Sequence, residues 1–97
     1  MNSKKIKLLN FDDLLKQELK DPEFKKGFEI EKKKLEMSLA IINLRKKKKI
    51  SQAKLAEKIG MKQSAVGRIE AGKQNLTIET LQKIAFALNK ELIIDFR

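Results

Sequence analysis

Three apolar pairs at one repeated spacing constrain this chain more than any other feature. Ile50 and Leu55, Met61 and Val66, and Leu76 and Leu81 each stand five positions apart. Ser51 and Thr77, whose side-chain oxygens suit helix starts, follow the first member of the outer pairs, and Lys62 holds the same place in the middle one. This is the spacing of a hydrophobic staple. The residue before the cap packs on the fourth helical residue and sets the angle at which the chain enters the helix. Helices are therefore predicted to start near Ser51, Lys62 and Thr77. Gly60 ends the first and Gly72 follows the second. Asn89, which tolerates left-handed backbone, ends the third. The segment Leu92-Ile93-Ile94-Asp95-Phe96 is β-branched and aromatic, and it reads as a short strand with Leu92, Ile94 and Phe96 on one face.

Helix formers dominate upstream as well. A first helix is predicted over Phe11 to Lys20. Asn10 is its cap, Asp12 and Asp13 sit at its positive end, and Phe11, Leu14, Leu15 and Leu19 form a stripe. Asp21-Pro22 restarts a helix, with Asp21 as cap and Pro22 at the first helical position. Phe24, Phe28, Leu35, Leu39 and Ile42 then fall on one helical face. The pattern allows one long helix or two broken near Gly27. The fold expected is all-α, closed by the C-terminal β-strand.

Composition narrows the chemistry. The 97 residues include 23 Lys and Arg against 13 Asp and Glu, a formal charge of +10, and there is no His or Cys. Zinc fingers, thiol nucleophiles, imidazole bases and disulfides are thereby excluded. No Asp/Glu cluster has metal-site spacing, so neither an enzyme nor a cofactor is expected. No apolar run approaches a membrane span and no signal peptide is visible, which points to the cytoplasm and away from the membrane. A hydrophobic content of 41% is too high for a disordered basic tail. The charge is uneven: residues 1–10 carry +3, residues 11–31 carry −3 and residues 32–97 carry +10. An acidic segment before a basic body suggests two binding faces, the body facing a polyanion.

Ser51 to Ile59 and Gln63 to Ala71, joined by a tight turn at Gly60, form a helix-turn-helix candidate. Val66 and Ile69 point inward at i and i+3. Gln63, Ser64, Gly67 and Arg68 lie toward the other side, where Gln pairs with adenine and Arg with guanine in the major groove. Arg45 to Lys49 are five consecutive basic residues. They suit a solvated helix C-terminus and equally a phosphate clamp. Lys49, Lys62, Lys73, Gln74 and Asn75 are further candidate phosphate contacts.

The stretch from Ser51 to Gly72 resembles the core of the Cro/C1-type (XRE) helix-turn-helix family, and Thr77 to Leu88 is similar to that family's next helix. The resemblance covers about residues 38–89. It implies a bundle of five helices that binds operator DNA as a two-fold homodimer. It also implies that Gln52 holds a phosphate, that Gln63, Ser64 and Arg68 face base edges, and that Arg45 and Glu70 form an ion pair. Two positions depart from the family pattern. Lys49 stands where Gly commonly closes the first helix, so a lysine has to accept a left-handed conformation. Lys62 stands where Ser or Thr usually caps the recognition helix.

A wider resemblance takes in Asp21-Pro22-Glu23-Phe24, the long helix to Leu44-Arg45, and the ending Leu92 to Phe96. Together with the helix-turn-helix they resemble HigA-type antitoxins, which pair with RelE/HigB-like toxins that cut mRNA. That resemblance implies a dual role, neutralising the toxin and repressing the operon, with a heterotetramer as one assembly. On this reading residues 1–31 are a toxin-binding helical arm and residues 32–97 the DNA-binding domain. Phe11, Leu14, Leu15, Phe24 and Phe28 would be the arm's apolar anchors, or would pack on the bundle. The alternative is a stand-alone Cro/C1-type repressor whose N-terminal helices brace the fold.

Overall fold

The computed structural model describes residues 16–97. Asn10, Phe11, Leu14 and Leu15, with the start of the first predicted helix, lie outside the described residues. The chain divides into two compact units, Met1–Lys33 and Lys34–Arg97. In the first, residues 16–18 are helical and a turn follows, with the Asp21 amide donating to the Glu18 carbonyl at 3.0 Å.

The longest element, α1 (Pro22–Lys47), is one helix of 26 residues, and Gly27 does not break it. The Asp21 carboxylate accepts the Glu23 N–H at 3.0 Å, and Pro22 occupies the first helical position, where no amide hydrogen is needed. Glu23 lies in the first turn and Arg45, Lys46 and Lys47 in the last, each sign matched to the helix dipole. Three shorter helices follow: α2 (Gln52–Ile59), α3 (Gln63–Glu70) and α4 (Ile78–Ala87). Their caps are Ser51, Lys62 and Thr77, where the staples predict them. The Ser51 hydroxyl accepts the Lys54 N–H at 3.0 Å and the Thr77 hydroxyl accepts the Thr80 N–H at 3.1 Å.

All four helices end in one way. Lys49, Gly60, Gly72 and Asn89 have φ of 58°, 69°, 71° and 57°. After each, the next amide reaches back to a carbonyl five residues earlier: Ile50 to Arg45, Met61 to Ala56, Lys73 to Arg68 and Lys90 to Ala85, at 2.8 to 3.1 Å. This is the Schellman closure. It reverses the chain tightly enough to bring α2 against both α3 and α4.

The core is made of Ile41, Leu55, Ala56, Ile59, Val66, Ile69, Ile84 and Leu88. The leading staple residues Ile50, Met61 and Leu76 pack on it part-buried. Each staple thus serves the tertiary core as well as its own helix.

Two expectations need correction. The apolar face read on α1 is largely outside: Phe24, Leu35 and Leu39 are exposed, and the buried positions are Ser38, Ile41 and Arg45. Burial follows the side that meets α3, and two of those three contacts are polar. The C-terminal strand is absent, and no strand forms among the described residues. Residues 90–97 have no regular secondary structure, and Ile93, Ile94 and Phe96 are exposed. β-branched residues favour a strand only where a neighbouring strand completes the hydrogen-bond ladder, and the described residues offer none. No helix among them is long and apolar enough to cross a membrane.

Candidate nucleic-acid interface

Helix α3 has two chemically distinct sides. Val66 and Ile69, each 1% exposed, and the buried Glu70 face the core. Gln63, Ser64 and Arg68 are exposed, with Gly67 part-buried among them. These four stand at i, i+1, i+4 and i+5, so the helical repeat sets them on one side. The hydrogen-bonding side chains of Gln63, Ser64 and Arg68 therefore project together from a helix whose other side is fixed.

Three contacts fix it. The Arg45 Nε donates to Glu70 Oε2 at 2.7 Å and its Nη2 to Oε1 at 3.0 Å, a two-pronged ion pair from α1 to the end of α3. A third Arg45 donor, Nη1, reaches the Ile50 carbonyl at 2.8 Å. The Gln52 amide at the start of α2 donates to Glu70 Oε1 at 2.9 Å. The Ser38 hydroxyl, 2% exposed, lies 2.8 Å from the Ile69 carbonyl and 2.9 Å from the Lys34 carbonyl in its own helix. One carboxylate thus ties α1, α2 and α3 together. No buried side-chain nitrogen or oxygen among the described residues lacks a partner.

The electrostatics follow from this geometry. Burial works to raise the Glu70 pKa, but hydrogen bonds from Arg45 and Gln52 and the charges of Arg45 and Lys46 outweigh it and lower it from 4.5. The hydrogen bond to Glu70 raises Arg45 above its ordinary value, against the effect of burial. The pair therefore remains ionised at neutral pH and projects little net charge.

The predicted phosphate contacts fall into two groups. Lys49, Lys62, Lys73 and Asn75 are exposed and Gln74 is part-buried. Lys62 caps α3 and Lys49 closes α1, while Lys73, Gln74 and Asn75 lie in the α3–α4 connection. Arg45 and Gln52 are instead engaged inside the protein by Glu70. Gln52 keeps a second amide hydrogen free of that bond, and it stands in the first turn of α2, where backbone N–H groups favour an anion. The family resemblance implies the Arg45–Glu70 pair, and nothing in the sequence signals that Gln52 shares the same carboxylate. Sequence reasoning also missed Ser38, whose signal was a small polar residue within a largely apolar stretch of helix.

Of the predicted toxin-binding residues, Phe24 and Phe28 are described. They stack one turn apart on α1 with centroids 6.3 Å apart and planes 16° apart, Phe24 exposed and Phe28 part-buried. Phe11, Leu14 and Leu15 lie outside the described residues. Among those residues no group of three or more His, Cys, Asp or Glu side chains is placed to hold a metal ion.

A protein-family model described as helix-turn-helix matches residues 41–93, more than half of the chain. No curated protein and no solved structure matches it. The match runs from the inward-facing Ile41 of α1 past the end of α4, and so takes in α2, α3, the turn between them, and both partners of the Arg45–Glu70 pair.

Proposed function

Because the chain belongs to the helix-turn-helix family of DNA-binding transcriptional regulators, we propose that it docks α3 in the major groove of operator DNA and represses transcription there as a two-fold homodimer. In this reading Gln63, Ser64 and Arg68 contact base edges. Lys49, Lys62, Lys73, Gln74 and Asn75 contact phosphates, and Gln52 does so with its remaining amide hydrogen. Arg45 acts through Glu70, holding α3 at a set angle. The role is binding, without catalysis, and its place is the cytoplasm. The observation that carries the reading is the two-sided chemistry of α3, with hydrogen-bonding side chains outward and the opposite side locked by Arg45, Gln52 and Ser38. The test is selection of a tight duplex from a random-sequence library, followed by binding at several salt concentrations. Each phosphate neutralised steepens the slope of log affinity against log salt by about 0.9. A slope near zero, or failure to enrich any sequence, overturns the proposal.

A second reading adds a protein partner, and the exposed apolar residues of α1 favour it. Phe24, Ile30, Leu35 and Leu39 are 38%, 49%, 54% and 50% exposed. In the HigA-type reading a RelE/HigB-like toxin covers the arm of residues 1–31, Phe24 and Phe28 among its anchors, the antitoxin silences it, and the operon is autorepressed by the dimer or by a heterotetramer with the toxin. Co-expression with a basic reading frame adjacent to this gene tests it. Rescue of growth that is lost in a Phe24→Glu, Phe28→Glu double variant with intact DNA binding supports the antitoxin. No rescue by the unaltered chain leaves the stand-alone repressor as the reading that holds.

A further inference from the structure

Gly67 is the fifth of eight residues in α3, and the fold itself has no use for a glycine there. Its φ is not among the positive values, which belong to Gly60 and Gly72. A Cβ built on it meets one atom within 4 Å, the Gln52 Oε1 at 4.0 Å, an ordinary contact with the end of a side chain. Any small side chain would therefore fit, and nearly every residue other than proline forms helix better than glycine. The same helix lacks a side-chain cap at Lys62, whereas α2 and α4 have theirs. Local preference is thus set aside twice in α3 and observed in α2 and α4. Such departures concentrate where a chain serves something outside its own fold. The open position lies on the side that carries Gln63, Ser64 and Arg68, the side proposed above to face the DNA.

We propose that Gly67 is a specificity-determining position whose missing side chain admits the C5-methyl group of a thymine in the major groove. The inference rests on the DNA-reading role of α3 and specifies one base within it. A thymine methyl is the apolar group a major groove presents, and it seats on small or apolar surface. With no Cβ in the way, it packs directly on the helix backbone beside the Gln63 and Arg68 side chains. A cytosine offers no methyl and leaves the space empty.

The test crosses a protein methyl with a DNA methyl. The full-length chain is used to select a tight duplex, and wild type and Gly67→Ala are then titrated against it by fluorescence anisotropy at fixed salt. Each thymine is replaced in turn by deoxyuridine, which removes only the methyl. Gly67→Ala is expected to raise the melting temperature of the free protein by about 4 °C. It is expected to lose about tenfold in affinity for the selected duplex while an unrelated duplex binds unchanged. One deoxyuridine position is expected to restore the variant's binding and to weaken the wild type. A fall in melting temperature, an equal loss on both duplexes, or the absence of any restoring position overturns the proposal. If the wild type enriches no sequence at all, the DNA-reading role fails first and this one falls with it.

Discussion

Arg45 and Glu70, twenty-five positions apart, meet through two hydrogen bonds of 2.7 and 3.0 Å with their side chains 11% and 5% exposed. The bond that orients the recognition helix is therefore also a titratable one. Glu70 has its pKa lowered from 4.5 in the fold. A lowered carboxyl contributes stability that is complete above the unfolded value and is lost as pH falls through the folded value. Stability is thus expected to hold at neutral pH and to decline progressively below about pH 4.5. Glu70→Gln is expected to flatten this decline and to cost about 3 kcal/mol at neutral pH, since it leaves the Arg45 charge buried without its counter-ion. Urea unfolding of both proteins between pH 3 and 7, on the order of one pH unit apart, checks it. A decline in the variant as steep as in the wild type assigns acid sensitivity to other carboxylates.

How much of this was legible in the sequence depends on how local each signal is. The helix starts at Ser51, Lys62 and Thr77 could be read because cap and staple lie within six residues of one another. The closures at Gly60, Gly72 and Asn89 are equally local. The inward side of α1 is not local. Periodicity found apolar residues at Leu35 and Leu39, but the bundle meets Ser38, Ile41 and Arg45, and only tertiary contact distinguishes these sides. The Arg45–Glu70 pair was legible through the family resemblance alone, and the share of Gln52 in that carboxylate, eighteen positions away, has neither a local signal nor that resemblance behind it. The C-terminal strand failed for the opposite reason, since strand propensity is local and its hydrogen-bonding partner is not.

Lys49 offers a separable test of stability and binding. Its φ of 58° is left-handed backbone, which costs a side-chain-bearing residue about 1 kcal/mol. Lys49→Gly removes that strain, though it also adds freedom to the unfolded chain. The net expectation is a gain of about 0.5 kcal/mol, measured by urea unfolding. If Lys49 contacts a phosphate, the salt slope falls by about 0.9 in the same variant. A more stable protein with an unchanged slope leaves Lys49 outside the DNA contact.

Lys62 caps α3 without a side-chain hydrogen bond, and of the first-turn amides Ala65 N–H reaches only the Lys62 carbonyl, at 3.0 Å. Lys62→Ser supplies an acceptor and is expected to stabilise the free protein by about 1 kcal/mol. It also removes a cation beside the anion-attracting end of α3, so affinity for unrelated duplex at low salt is expected to fall. Lys62→Ala is the control, expected to lose the same affinity without the gain in stability. Equal affinity of all three proteins at low salt removes Lys62 from the interface.

The Ser38 hydroxyl lies 2.8 Å from the Ile69 carbonyl, and a Cβ on Gly72 would stand 3.5 Å from that same hydroxyl oxygen. The serine is thus seated where α3 ends and the chain turns. Ser38→Ala is expected to cost about 1 kcal/mol, because the Ile69 carbonyl retains the Gly72 N–H at 3.0 Å. Ser38→Leu forces a larger side chain against the turn and is expected to cost about 3 kcal/mol. Thermal unfolding measures both. A neutral Ser38→Leu would mean that α1 and the end of α3 are less closely packed than these distances require.

The exposed apolar residues of α1 yield the sharpest contrast within one helix. Leu39 is 50% exposed and Ile41, two positions on, is 5% exposed. Lysine forms helix about as well as leucine, so Leu39→Lys replaces an apolar side chain by a charged one with helix propensity held constant. If Leu39 has no role in the fold, that substitution is expected to leave stability within about 0.5 kcal/mol of wild type. Ile41→Ala removes core atoms that touch the bundle and is expected to cost about 3 kcal/mol. Chemical denaturation of the two variants tests both expectations. A costly Leu39→Lys would place the stripe inside the folded chain. A neutral one leaves Leu35 and Leu39 as apolar surface that the fold maintains without using, which is the condition a protein partner on α1 requires.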